Sequence, residues 1–178
     1  MKILIISDAW HPQVNGVVRT YEYLSAELER QGHEVKVIGP AEFKSRFPMP
    51  GYAEIELVIN PYKILAQKIN EFQPDIIHIA TEGPLGWAGR KYSLKNNKKF
   101  TTSYHTQFPD YVAKRVSKFL PFLYVTAHKI ALHFIKKFHV PSQAILVTTD
   151  SMRAQLQLWG VETPIMPFTR GIDTALFY

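Results

Sequence analysis

Lys2-Ile3-Leu4-Ile5-Ile6-Ser7 decides the fold class, together with the helix-spaced Val17, Tyr21, Leu24 and Leu28 and the alternating stretch His33-Glu34-Val35-Lys36-Val37-Ile38. The first run is almost wholly apolar and rich in isoleucine, as suits a strand buried on both faces of a parallel sheet. The spaced apolar positions predict a helix over Gly16 to Gln31, with Arg30 in its last turn and Gly32 as a natural residue just past its end. The third stretch predicts a strand that stops at Gly39-Pro40. Together they form a strand, helix, strand unit whose crossover is expected to be right-handed.

The same alternation extends along the chain. A helix is expected over Pro61 to Phe72, a strand over Ile76 to Ala80, a helix from Pro84 to about Leu94 and a strand over Phe100 to Tyr104. Tyr111 to His139 reads as two helices broken near Pro121. A strand over Ala144 to Thr148, a helix over Ser151 to Trp159 and a last strand over Pro164 to Phe168 follow. Only Ala41 to Asn60 is irregular, with an edge strand around Glu54 to Ile59. The expected architecture is a Rossmann-like, doubly wound, mainly parallel sheet of about six strands. No internal repeat, low-complexity tract or interior linker interrupts it.

The chain has 178 residues, 46% hydrophobic and 20% charged, enough for one compact domain with a core. No apolar run approaches the roughly 20 residues that span a bilayer. The first residues lack a signal-peptide apolar region and a small-residue cleavage site, so a cytoplasmic protein is expected. The absence of cysteine excludes a disulfide scaffold, a thiolate zinc site and a cysteine nucleophile. The net charge of +6 is regional: 11 of the 21 Lys and Arg, but only one acid, Asp110, fall between Gly83 and Thr149. Such a block is either a set of solvated lysines or a field that gathers polyanions: nucleic acid, an anionic membrane surface or phosphorylated small molecules. No nucleic-acid-binding motif accompanies it.

In a doubly wound sheet, ligands bind beyond the carboxyl ends of the strands, so the loops that follow the strands carry the chemistry. The first, Asp8-Ala9-Trp10-His11-Pro12-Gln13-Val14-Asn15-Gly16, is longer than a minimal turn. Asn15 can cap the following helix, and Gly16 lets a ligand approach backbone N–H groups at the positive end of the helix dipole. The pair is either a simple cap or a diphosphate site. Glu82, before the next helix, either serves that helix's dipole or accepts substrate hydroxyls. His105 follows a strand beside Tyr104, Thr106 and Gln107, a set that suits a carbohydrate and equally a structural histidine. The seven histidines show no metal-ligand spacing and no paired acids of the DxD kind occur, so no metal is expected. A serine nucleophile elbow and a two-carboxylate hydrolase site are likewise missing. Leu123, Ala127, Ile130, Phe134 and Phe138 form an apolar stripe flanked by Lys129, Lys136 and Lys137, with Lys114, Arg115 and Lys118 upstream. That stripe is either core packing or a basic surface that rests on anionic lipid.

Four motifs then combine. Ser7 to Thr20, Thr81-Glu82-Gly83-Pro84-Leu85-Gly86, Thr102-Ser103-Tyr104-His105-Thr106-Gln107-Phe108-Pro109-Asp110-Tyr111 and Arg170-Gly171-Ile172-Asp173-Thr174 together resemble the N-terminal half of retaining glycosyltransferases of the GT-B fold. The resemblance is greatest to the branch of GDP-mannose-dependent α-mannosyltransferases and sulfoquinovosyl and other glycolipid glycosyltransferases. It implies that Asn15 and Gly16 contact the diphosphate of a nucleotide-sugar donor and that His105 lines the reaction centre. It implies an acceptor site around His11, Arg19, Glu82, Tyr104 and Tyr111, a hydroxylated lipid or glycan acceptor, and transfer without a metal or other cofactor. Residues 1–178 are then the acceptor-side domain, and a second, donor-binding domain lies beyond them. On this reading the isolated chain is expected to be inactive and to sit on the inner face of the membrane through its basic segment. A non-catalytic membrane- or partner-binding module derived from the same fold is the alternative.

Overall fold

A computed structural model describes residues 1–49, 52–105, 122 and 124–169, without the side chains of 52–54. In chain order the elements are β1 (Lys2–Ile6), α1 (Gly16–Arg30), β2 (Glu34–Ile38), β3 (Arg46–Met49) and β4 (Tyr52–Val58). They continue with α2 (Tyr62–Phe72), β5 (Ile76–Ile79), α3 (Pro84–Lys95), β6 (Phe100–Tyr104), α4 (Tyr124–His139), β7 (Ile145–Val147), α5 (Asp150–Leu158) and β8 (Ile165–Pro167). The first of the two helices expected over Tyr111 to His139, and the break near Pro121, lie outside the described residues. So do Tyr111, Lys114, Arg115, Lys118 and the Arg170 to Thr174 motif.

Six strands form one sheet in the order β2-β1-β5-β6-β7-β8, and every neighbouring pair is parallel. The reason lies in strand composition. Leu4 and Ile6 of β1 pack under α2 and α3 with Leu65, Ile69, Leu85 and Phe138, while Ile5 faces the other way toward Tyr21, Val17 and Leu24 of α1. A strand covered by helices on both faces has no polar side to show, which explains the unbroken apolar run. Each such aliphatic side chain taken out of water contributes about 2 kcal/mol. A further apolar cluster, Ile135, Ile145, Val147 and Leu156, seats α4 and α5 against the β6–β8 side of the sheet.

Two expectations change. The strand expected at the sheet edge over Glu54 to Ile59 is β4, and it pairs antiparallel with β3 in a separate two-stranded sheet. The cause is local. Charged and proline-containing residues suit an exposed hairpin, with Arg46 and Glu56 joined across it at 3.1 Å, while Val58 turns into the core beside Phe43. The stripe expected on α4 is also rotated: Ala131, Ile135, Phe138 and His139 are buried, whereas Ile130 is 66% exposed.

α3 approaches the sheet closely because it carries glycines. A Cβ on Gly86 would stand 1.9 Å from the Thr81 carbonyl oxygen, a backbone atom that cannot swing aside. Gly32, past the end of α1, has φ +82° and open space around it. Gly86→Ala is therefore expected to cost more than about 2 kcal/mol through overpacking, and Gly32→Ala about 1 kcal/mol through backbone strain alone. Urea unfolding of the two variants checks both the order and the gap.

Candidate functional site

The chain leaves β1 for β2 on one side, then returns across to β5 on the other. This reversal opens a crevice at the carboxyl ends of β1 and β5, where open α/β sheets hold their ligands. Four loops end there or beside it.

The loop after β1 is tied down by Asp8. Its buried carboxylate accepts the backbone N–H groups of Leu85 (2.8 Å) and Gly86 (3.2 Å) and the Thr81 hydroxyl (2.9 Å). The Thr81 oxygen in turn receives the Asp8 N–H at 2.7 Å. Asp8 thus caps α3 from a distant loop, a role that local sequence would give to Glu82. Gly83 makes room for it, since a Cβ there would fall 2.3 Å from the carboxyl carbon. Burial pushes the Asp8 carboxyl up to about 6 despite the three hydrogen bonds, with Glu82 adding to the rise.

Asn15 caps α1: its Oδ1 accepts the N–H groups of Val17 (3.0 Å) and Val18 (3.1 Å), worth about 1 kcal/mol. Gly16 opens the helix directly after this cap, at the positive end of its dipole. His11 and Arg19 both reach Glu22, at 2.8 Å and 3.2 Å, on the exposed flank of the same helix. Exposed pairs of this kind contribute less than about 1 kcal/mol.

His105, at the end of β6, brings its Nε2 to 3.2 Å from the Tyr21 hydroxyl. That hydroxyl donates to Ser103 Oγ (2.8 Å) and lies 2.8 Å from His78 Nε2, while His78 Nδ1 lies 2.8 Å from Thr101 Oγ1. The result is a buried array of hydroxyls and imidazoles between α1, β5 and β6. Burial first, and repulsion from His105 second, hold the His78 imidazole down at about 3. Phe168, after β8, covers the Tyr21 ring at 6.1 Å between centroids.

The remaining sequence-predicted residues divide. Glu82 accepts from or pairs with His139 Nε2 at 3.1 Å, and His139 Nδ1 reaches Thr102 Oγ1 at 2.8 Å, so the carboxylate is anchored to the end of α4. Tyr104 is fully buried among Ile135, Ile145 and Leu156, in the core and not at the crevice. Lys129 and Lys137 are exposed on α4, whereas Lys136 donates to the Trp159 carbonyl at 2.9 Å, at the end of α5. Among the described residues no group of three or more His, Asp or Glu is placed to hold a metal ion. None of their helices is long and apolar enough to cross a membrane.

Local sequence reading missed Asp8, Tyr21, Ser103 and His78. Tyr21 was legible only as one apolar position on a helix. His78 carried a usable signal: an imidazole inside the apolar strand Ile76-Ile77-His78-Ile79 requires a buried partner.

Two titrations should oppose each other. The unfolded chain protonates His78 near 6.5 while the native ring resists to about 3. Its contribution is therefore complete above that range and falls by about 2 kcal/mol between pH 7 and pH 5. Asp8 has a native pKa of about 6 against 3.8 ordinarily, so the native state takes up its proton first and gains about 1 kcal/mol over the same interval. His78→Gln is expected to be less stable at pH 7 yet to gain stability on going to pH 5, and Asp8→Asn to steepen the loss on acidification. Chemical denaturation at the two pH values measures both slopes.

Comparison with known proteins agrees with this geometry. Residues 14–176 match Glycosyltransferase Family 4. The chain is 29% identical over 137 residues to the alpha-monoglucosyldiacylglycerol synthase of Acholeplasma laidlawii, covering 68% of this chain and 34% of that protein. It is 25% identical over 194 residues to the GDP-mannose-dependent alpha-mannosyltransferase of Mycobacterium tuberculosis, covering 99% of this chain and 49% of that protein. A sulfoquinovosyl transferase of Arabidopsis thaliana is 24% identical over 194 residues, covering 98% and 36%. The chain thus spans between a third and a half of the length of these relatives. In fold, it superimposes on the sucrose-phosphate synthase of Thermosynechococcus elongatus, a GT-B enzyme, with a TM-score of 0.65 at 14% identity, covering 99% of this chain and 50% of the other. With a family match over nearly its whole length and a half-GT-B fold built around a switch-point crevice, the chain belongs to Glycosyltransferase Family 4.

Proposed function

We propose that residues 1–178 are the acceptor-side domain of a retaining glycosyltransferase that moves a sugar from a nucleotide-sugar donor to a hydroxyl of a lipid or glycan acceptor. GDP-mannose is the first donor to try, because the mannosyltransferase relative that aligns with 99% of this chain carries that donor in its name. The observation that carries the reading is that the α1 N-terminus and His105 stand on the same side of the sheet, joined through Tyr21. On this reading, the Gly16 N–H and the α1 dipole meet the negative charge that develops on the departing diphosphate, and no metal is required. His105 stands at the reacting sugar. His11, Arg19 and Glu82 lie on the loops that flank the acceptor's approach. A second domain supplies the donor's nucleotide grip, so the isolated chain leaves one wall of the cleft open to water and does not turn over.

A second reading, a non-catalytic membrane- or partner-binding module, draws on the outer surface around α4. Phe122, Val125 and Ile130 are exposed there beside Lys129 and Lys137, in the chain's positively charged stretch. The same face serves the first reading as the contact by which a cytoplasmic enzyme rests on the inner surface of an anionic membrane.

The test uses radiolabelled GDP-mannose and UDP-glucose with membrane lipid extract, comparing this chain with a longer protein carrying a donor-binding domain. Transfer by the longer protein alone is expected, with the anomeric configuration retained. His105→Ala should lower kcat by about a hundredfold or more. Robust turnover by the 178-residue chain would overturn the assignment of donor binding to a second domain. Sedimentation with anionic vesicles and no transfer by either protein would favour the second reading.

A further inference from the structure

Tyr21 is the largest buried polar-tipped side chain outside the residues already assigned, and its hydroxyl sits at the junction of three elements. It lies five residues into α1 from Gly16. Its oxygen meets Ser103 Oγ at 2.8 Å, His78 Nε2 at 2.8 Å and His105 Nε2 at 3.2 Å. The His105 ring stands edge-on to the Tyr21 ring, at 5.8 Å and 87°. A phenol has one proton to give and two lone pairs to receive with. Tyr21 donates its proton to Ser103, so toward His105 its oxygen can only accept. Whichever nitrogen of His78 carries a proton, the bond to His105 then requires hydrogen on His105 Nε2.

We propose that Tyr21 is a positioning residue, a strut from α1 that fixes the orientation of the His105 ring and holds it in the Nε2–H tautomer, with Nδ1 as the basic nitrogen. The inference rests on the reading of His105 and the α1 N-terminus as parts of one reaction centre. It adds that their separation is set by a side chain which itself touches no substrate. Since Gly16 and Tyr21 belong to one helix, a shift of α1 carries the helix terminus and the histidine's support together. His78 supports the strut from behind and stays neutral across the physiological range, so it brings no second positive charge to the site.

The tautomer is read directly by long-range nitrogen–proton correlation on the 178-residue chain labelled with 15N-histidine, at about pH 8, where imidazoles of ordinary pKa are neutral. His105 is expected as the Nε2–H form. Tyr21→Phe should abolish that preference. Ser103→Ala, which removes the acceptor of the Tyr21 proton and frees it for a ring nitrogen, should raise the Nδ1–H population of His105 at least about twofold. An Nδ1–H ring in the unmodified protein, or an unchanged tautomer in both variants, would overturn the proposal; the first of these needs no variant to fold. In the longer transferase, Tyr21→Phe is expected to lower kcat about tenfold while donor KM changes less than twofold. A lost tautomer with unchanged kcat would overturn the placement of His105 at the reaction centre and leave the bond to Tyr21 standing.

Discussion

A single buried carboxylate holds the two sides of the crevice together. Asp8 leaves the end of β1 and closes the N-terminus of α3, which follows β5, so the two strands that bound the switch point share one electrostatic joint. The joint has competing terms. Desolvation lifts the carboxyl to about 6, yet the first-turn N–H groups of α3 would otherwise be buried without an acceptor. The close seating of Gly83 and Gly86 follows from it, because neither position tolerates a Cβ while the carboxylate and the Thr81 carbonyl stand where they do.

Around this joint, two arrays of buried polar groups run between helices and sheet among the described residues. One runs from Thr101 through His78 and Tyr21 to His105, between α1 and the sheet. The other runs from Thr102 through His139 to Glu82, between α4 and the sheet. Adjacent residues of β6, Thr101 and Thr102, therefore feed opposite faces, as the alternation of a strand requires. Each array links a helix to the carboxyl end of the sheet, and His78 and His139 each have both ring nitrogens engaged by hydroxyls or a carboxylate. Such networks rigidify what they satisfy. Glu82 and His105 are thereby tied to the core.

The fold was legible because its signals are periodic. Apolar runs such as Leu4-Ile5-Ile6 and the helix face of Val17, Tyr21 and Leu24 place strands and helices, and the order of elements then fixes a doubly wound sheet. The hairpin β3–β4 was not legible in the same way, since an exposed pair of strands carries little apolar alternation. For the candidate site, what was legible is position: Asn15-Gly16 and His105 stand in loops after strands. The candidate site was illegible where partners are far apart in sequence. Nothing local to Asp8 points to Leu85 and Gly86, and nothing local to Tyr21 points to His78 or His105. Glu82 shows the converse: its position before α3 suggests a helix-dipole acid, yet Asp8 occupies that role and Glu82 is drawn to His139.

Charge and chemistry are divided in space along the chain. The crevice holds the α1 terminus and the array of Tyr21, His78 and His105, while the exposed cations Lys129 and Lys137 stand on α4. On the proposed reading, a diphosphate at this crevice meets the α1 terminus and the water around it. Water weakens the field of a helix terminus, since the same charge separation is worth several-fold more in a site closed to solvent. On the proposed reading, the electrostatic work of Gly16 and α1 is therefore greatest where water is excluded, whereas the surface formed by Phe122, Val125, Ile130 and Lys129 has no such requirement. On the proposed reading, contact with a surface asks only for exposed groups, whereas stabilisation of a leaving diphosphate asks for a site closed to water.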